Sequence, residues 1–312
     1  MKGLLGGTGK MKLNVVAAYF LIYVVWGSTY FFIGVALQGI PPFLLGALRF
    51  TAAGAILLTV CYIRGEPIFS KALIRKSAVS GIVLLFIDMA VVMLAQRWLS
   101  SSLVAIIAAS TAIWIMALDA PMWKKNFRNL ATVAGIVMGF FGVMMLYIEQ
   151  LGSNSSTEHT EYGVILLIFG CISWALGTLY TKYRSGKVEQ VYAFAGSAWQ
   201  MLFASAAFWL CSVATGNLNT DFSLVPSASW WALVYLIIFG SILAYTAYVW
   251  LLKIRPATEV ATHAYVNPLI AVFLGVTFGQ EKVSFIQIAG LVVILLSVML
   301  VNKKRNDPNS AI

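Results

Sequence analysis

Apolar residues run along this chain in blocks of about twenty, broken by short polar stretches, over nearly its whole length. The blocks cover roughly 13–36, 42–63, 77–99, 101–122, 129–148, 162–183, 191–214, 229–252, 258–279 and 284–301. A bilayer core about 30 Å thick takes about 20 apolar residues per helix, so each block predicts one transmembrane helix. The connections between them are too short to hold a separate soluble domain. The pattern predicts an all-α polytopic membrane protein with ten transmembrane helices.

The blocks also repeat. The first carries YVVWGSTYFF, with Trp26, Thr29 and Tyr30, and the sixth carries CISWALGTLYTKY, with Trp174, Thr178 and Tyr180. Farther on, residues 111–146 match residues 267–300: Ala112 falls against Pro268, Lys125 against Glu281, Gly135 against Gly290 and Val143 against Val298. Five spans is an odd number, so the second half must enter the bilayer upside down relative to the first. The expected organisation is two inverted five-helix repeats, 1–148 and 162–302, with an external linker at 149–161 and a cytoplasmic tail at 303–312. Repeats of this kind place a binding site near the midplane and permit alternating access.

Composition agrees with the pattern: 61% of the residues are hydrophobic and 10% charged, with a mean hydropathy of +0.88. The net charge of +10 could point to nucleic acid, but its placement excludes that reading. With the N-terminus inside, 18 of the 21 Lys and Arg fall in inner segments, while Arg97 and Lys282 lie outside beside an acidic stretch holding Glu149, Glu158 and Glu161. Cytoplasmic loops collect cations, so both termini are expected in the cytoplasm. Arg49 is the remaining cation and lies within a span.

Cys61, Cys171 and Cys211 all lie in apolar blocks and read as small hydrophobes, with no metal or disulfide set among them. No cleavable signal precedes the first span, which is expected to act as its own insertion signal, and Met11 could serve as an alternative start. The GTGK near the N-terminus lacks the spacing of a phosphate-binding loop. Asn154-Ser155-Ser156 is a formal glycosylation sequon in the external linker.

Two stretches, WGSTYFFIGVALQGIPPFLLGALRF (26–50) and YVNPLIAVFLGVTFGQEKVSFIQIAGLVVILLSVML (265–300), resemble the EamA family of the drug/metabolite transporter superfamily. The resemblance covers essentially the whole chain. It implies that the fifth and tenth helices pack at the periphery and the other eight surround a central cavity. It also implies export of small metabolites, amino acids or drugs across a bacterial inner membrane. Two positions depart from the family pattern: Ala112 stands where a proline is usual in the fourth helix, and Lys125 where an acidic residue is usual after it. That makes the ninth helix the stronger candidate for a pivot.

Candidate functional residues are the polar and aromatic groups inside these spans. His263 and Asn267 are four apart, hence on one helix face, and Pro268 removes a backbone donor beside them. This reads either as a locally opened, cavity-lining helix with Pro268 as hinge, or as a packed polar pair satisfied by neighbouring helices. Asp88 stands mid-span, where a carboxylate costs about 2.5–3.5 kcal/mol on insertion scales, so it needs a partner, a wet cavity or a proton. Arg49 lies within reach, leaving three readings: a structural ion pair, a proton-coupling acid, or a substrate clamp. Trp26 and Tyr30 share one face of the first span, and Trp174 and Thr178 the equivalent face of the sixth. Gln200 aligns with Arg49, and Tyr245 and Tyr248 are neighbours in the eighth span. Aromatic rings with one polar end suit an amphipathic organic ligand. Trp230 and Trp231 read as interfacial anchors, and Gly135-xxx-Gly139 and Gly275-xxx-Gly279 as close helix contacts within the protein. Asp119 is expected to pair locally with Lys124, and Glu281 to cap the outer turn between helices nine and ten.

The function expected is secondary transport of a small amphipathic molecule, with the bilayer as the other partner, no nucleic acid, and a monomer or weak homodimer as the assembly. No ATP-binding motif is present, so the drive is a substrate gradient or exchange with protons, and no cofactor is called for. Phosphorylated cargo would want several buried cations, and only Arg49 is available. An intramembrane enzyme would need a convergent nucleophile, base or metal set. A non-transporting receptor would not require duplicated polar helices.

Overall fold

A computed structural model describes residues 14–128, 130–152, 160–184 and 193–303. The sequon at 154–156, His159, most of the linker, the first thirteen residues and the tail beyond 303 lie outside these. Among the described residues eight helices are long and apolar enough to cross a membrane: α1 (Asn14–Leu37), α2 (Pro42–Ile63), α3 (Lys71–Ala95), α4 (Ser101–Leu118), α5 (Leu130–Glu149), α6 (Thr160–Tyr183), α7 (Ala193–Ala214) and α8 (Ser227–Ile254). Two shorter apolar helices complete the bundle, α9 (His263–Phe278) and α10 (Phe285–Lys303).

Cross-links at the helix ends fix the alternation. At one face Tyr19 Oη, near the start of α1, donates to Glu259 Oε1 just before α9. There Lys182, at the end of α6, donates to the carbonyls closing α8, Leu252 at 2.7 Å and Arg255 at 2.6 Å. Tyr183 Oη donates to Asp119 Oδ1 at the end of α4 (2.8 Å), so this acid ties α4 to α6. At the other face Ser229, opening α8, donates to the Val35 carbonyl closing α1 (2.9 Å). The first is the terminal face, where α1 begins and α10 ends; the second is the opposite face. α1 thus leaves the terminal face, whereas α6 leaves the opposite one, and the two sets of five helices are inverted.

Helices α5 and α10 pack on each other away from the bundle centre. Their contact runs through Gly139, Gly142 and Gly290, where added Cβ atoms would meet Ser297 Oγ at 2.8 Å, Ile294 Cγ1 at 2.8 Å and Leu146 Cδ2 at 2.7 Å. Backbones approach closely there because the side chains are absent.

Several helices depart from regular α geometry. Wide π turns occupy Leu21–Val25 in α1, Gly81–Ile87 in α3 and Leu236–Tyr245 in α8. α3 and α8 are the third helices of their respective halves. Helix α4 is interrupted at Ala109–Ser110, where Ile113 N bonds to Ser110 O at 2.8 Å, an i to i−3 bond. A comparable interruption at Ala261–Thr262 separates the short helix Ala257–Val260 from α9, with Ala264 N on Ala261 O at 3.0 Å. The break expected at Pro268 is absent: α9 runs through it, and the chain yields six residues earlier. Nor does the missing proline at Ala112 keep α4 straight.

Glu281 does not cap its own turn. Its carboxylate crosses to the first turn of α4, where Oε1 accepts from Ser101 N (2.9 Å) and Oγ (2.6 Å) and Oε2 from Ser102 N (3.0 Å) and Oγ. These are the orphan donors and positive dipole end of a helix N-terminus, which favour an anion. Gly275 makes room for this clamp, since a Cβ there would collide with the Glu281 carboxylate and stand 2.5 Å from Ser102 Oγ.

Candidate substrate cavity

A cavity opens among α1, α2, α3, α4, α6, α8 and α9, enclosing about 820 Å³ of non-atom space including its solvent-filled mouth. In α2 and α3 its residues come from the halves nearer the opposite face, and in α4 and α6 they straddle the middle of the helix. Nine of the sequence-predicted residues line it: Trp26, Tyr30, Arg49, Asp88, Trp174, Tyr245, His263, Asn267 and Pro268. Three others form a layer behind it. Tyr248 Oη meets Thr178 Oγ1 at 2.6 Å and receives Trp174 Nε1–H at 3.2 Å, while Gln200 Oε1 accepts from Tyr245 Oη at 2.7 Å.

Trp26 organises the floor. Its ring lies 5.4 Å from Trp174, 5.0 Å from Tyr248 and 5.4 Å from His263, in tilted or edge-on geometry. Such offsets suit ring quadrupoles better than face-to-face stacking. Its indole N–H donates to the Gly240 carbonyl in the π turn of α8 at 3.0 Å. Widening a helix frees backbone carbonyls, and here one is satisfied from another helix.

Asn267 does the same for α1. With the amide oriented as the surrounding carbonyls require, nitrogen rather than oxygen toward them, it donates to Ile22 O (3.0 Å) and Tyr23 O (2.8 Å), both in the π turn, and stands 3.1 Å from His263 O. The polar group in α9 is thus a staple to α1, satisfied by a neighbouring helix while it borders the cavity. His263 Nδ1 lies 3.0 Å from Val260 O. A carbonyl only accepts, so Nδ1 carries the hydrogen and Nε2 is left as an acceptor.

Arg49 and Asp88, each under one-tenth exposed, line this one cavity without forming a salt bridge to each other. The ion pair read from the sequence is therefore not formed. The guanidinium turns instead to α8, where Nε donates to Ser241 Oγ at 2.8 Å and Gly240, lacking a side chain, leaves it room. Asp88 makes no hydrogen bond to any described residue. The cavity accordingly offers one cation and one carboxyl group, separately held, beside an aromatic floor.

Sequence reasoning missed Thr29, Met89, Thr111, Cys171 and Ser241, which also line the cavity. Cys171, read as a hydrophobe, takes part in polar contacts with Ser110 Oγ at 3.7 Å and Ile107 O at 3.8 Å. The only signal for Ser241 is the Gly-Ser pair interrupting the apolar run of α8. Among the described residues no cluster of three His, Cys, Asp or Glu could hold a metal ion.

Ten helices in two opposed sets around a mixed-charge cavity define a multi-pass membrane protein built to hold a small molecule. The EamA-like transporter family model matches residues 14–148 and again 161–303, so the chain belongs to the EamA-like transporter family and is a membrane transporter. The uncharacterized inner membrane transporter YedA of Escherichia coli K12 is 32% identical over 294 residues, covering 94% of this chain and 92% of that protein. An uncharacterized transporter of Archaeoglobus fulgidus is 26% identical across 92% of this chain and 96% of its own. A solved crystal structure superposes with a TM-score of 0.66 at 19% identity, over 94% of this chain and 99% of that one, a likeness of fold alone.

Proposed function

We propose that this chain is a secondary transporter exporting small zwitterionic or amphipathic metabolites, of the amino-acid kind, from the cytoplasm across a bacterial inner membrane. The observation that carries the reading is the separate placement of Arg49 and Asp88 in one cavity. An unpaired cation and carboxyl group match the two ends of a zwitterion, and the Trp26–Trp174 floor takes its apolar part. A phosphorylated cargo finds only one arginine among the lining residues. Carrying cargo through requires the two five-helix sets, 1–148 and 162–302, to rock about the cavity. The distribution of Lys and Arg supports cytoplasmic termini, and the relative in Escherichia coli supports the inner-membrane location.

Asp88 is also the acid for proton coupling. A carboxyl group inside a membrane with no counter-charge crosses between states most easily when it carries a proton. Binding of a cargo ammonium group would displace that proton, which makes the exchange antiport. The test is flux in proteoliposomes across a panel of amino acids and organic amines. Uptake by the unsubstituted protein that drops at least about tenfold in both Asp88→Asn and Arg49→Gln supports the reading. Flux indifferent to both changes, or absent for every zwitterion and amine tried, overturns it.

A further inference from the structure

A second, smaller cleft lies near the terminal face, among α3, α6, α7 and α8, with about 300 Å³ of non-atom space including solvent. Five of its seven lining residues correspond by position in the repeats to residues of the central cavity. Gln200 is the eighth residue of the 22-residue α7, as Arg49 is of the 22-residue α2. Thr181 stands seven residues past Trp174, as Ile33 stands seven past Trp26. Ser80 in α3 bonds Gln200 at 2.8 Å just as Ser241 in α8 bonds Arg49. Val249 and Lys253 lie eight and twelve residues beyond Ser241, and Asp88 and Val92 lie eight and twelve beyond Ser80. One member of every pair lines the cleft and the other lines the cavity.

We infer that this cleft is a second cargo site, the inverted counterpart of the central cavity, closed in this conformation by a septum made of Tyr245 and Gln200. The inference rests on the transport reading above and adds the path by which cargo from the terminal face reaches the cavity. Tyr245 borders the central cavity and donates to Gln200 Oε1 at 2.7 Å. Gln200 in turn donates to Ser80, whose hydroxyl donates to Lys76 O at 3.0 Å. The chain of donors runs one way, from the cavity wall to the floor of the cleft. The close approach of α3 to α7 backs it: a Cβ on Gly81 would run into the Gln200 carbonyl. Parting these two helices breaks the Gln200–Ser80 bond and joins the two spaces.

The chemistry of the cleft differs from that of the cavity in a directed way. Where the cavity carries Asp88 and Val92, the cleft carries Val249 and Lys253. The cavity therefore favours the ammonium end of a zwitterion on α3, while the cleft carries no carboxyl group at the matching position.

The test is thiol accessibility in membrane vesicles of known sidedness, with a membrane-impermeant maleimide added to one side at a time and the unsubstituted chain as the blank for its native cysteines. Val249→Cys is expected to react from the terminal face alone, and Val92→Cys from the opposite face alone. Adding Tyr245→Phe, which removes only the septum hydroxyl, is expected to raise labelling of Val249→Cys from the opposite face about tenfold, the weight of one hydrogen bond. Thr181→Cys serves in place of Val249→Cys if the latter does not fold. Labelling of the cleft cysteine from the opposite face before the septum is altered, or from neither face in either background, overturns the inference. Flux measured on the same vesicles separates the two claims, since cargo can cross while the cleft is labelled from the wrong side.

Discussion

Glu281 caps a helix to which it is not adjacent in sequence: its carboxylate accepts both the backbone N–H and the hydroxyl of Ser101, 2.9 and 2.6 Å away, and makes the same pair of bonds to Ser102. Because α4 and the α9–α10 turn belong to different halves of the chain, the clamp ties the halves together at the opposite face. Hydrogen bonds to a charged group each contribute about 1.5–3 kcal/mol. Partial exposure and re-solvation of the serines reduce the total. Glu281→Ala is expected to lower stability by about 2–4 kcal/mol and Glu281→Gln by less, because the amide keeps one acceptor. Thermal unfolding in detergent, followed by a thiol-reactive dye, measures both. Equal midpoints for the alanine variant and the parent would show that the clamp contributes nothing.

Asn267 invites a second prediction. Its amide hydrogens serve carbonyls that the π turn of α1 leaves open. Leucine has the same bulk and no donors, so Asn267→Leu leaves those carbonyls buried and unpaired, at a cost of about 1–3 kcal/mol each. Asn267→Asp retains the size but replaces donors by acceptors facing carbonyls, and is expected to be worse than leucine at neutral pH. The order parent, leucine, aspartate in melting temperature is the expected outcome. Aspartate melting above leucine would contradict the assigned donor role.

What the sequence shows of this fold and what it conceals follow from the range of the interactions involved. The spans are legible because a twenty-residue apolar run has few other uses, and the boundaries of α2 at 42–63 agree residue for residue. Interruptions are less so. Pro268 is the loudest helix-breaking signal in α9, yet the break falls at Ala261–Thr262, and α9 continues through the proline at its sixth residue with one ladder N–H missing. The π turns of α1 and α8 carry no local signature: their carbonyls are met by Asn267 and Trp26 from other helices. For the candidate site, single polar residues in apolar runs pointed to most of the lining. Hydroxyls such as Thr29, Thr111 and Ser241 escaped notice because a Ser or Thr can satisfy itself on its own helix. Thr29 does so, through the Trp26 carbonyl at 2.6 Å.

Two glycines on facing helices separate close approach from mere smallness. A Cβ on Gly81 would stand 2.9 Å from Gln200 Cα and still nearer the Gln200 carbonyl, and backbone cannot move aside as a side chain can. A Cβ on Gly196 would meet only Leu73 Cδ1 at 3.6 Å and Ser77 Oγ at 4.0 Å. Gly81→Ala is therefore expected to destabilise by about 1–3 kcal/mol, the usual range for overpacking. Gly196→Ala should be neutral or stabilising by up to about 1 kcal/mol, through helix propensity. Fluorescence-detected size exclusion after a heat ramp compares them directly. A stable Gly81→Ala protein would mean that α3 and α7 are not held at this distance.

Asp88 allows the coupling and binding parts of transport to be told apart. In the unsubstituted protein an imposed pH gradient is expected to drive cargo uphill, because each turnover returns the carboxyl group protonated. Asp88→Asn keeps the shape and a hydrogen-bonding side chain but exchanges no proton. Downhill counterflow of labelled cargo should persist at a reduced rate, with affinity for an amine-bearing cargo weakened about tenfold or more by loss of the charge-assisted contact. The pH gradient should lose its effect altogether. Arg49→Gln leaves the acid in place, so it should weaken carboxylate-bearing cargo selectively and leave the pH response of a simple amine intact. The two variants thus fail in different columns of the same flux assay. A pH-driven gradient surviving Asp88→Asn would remove the coupling role and leave Asp88 a binding group only.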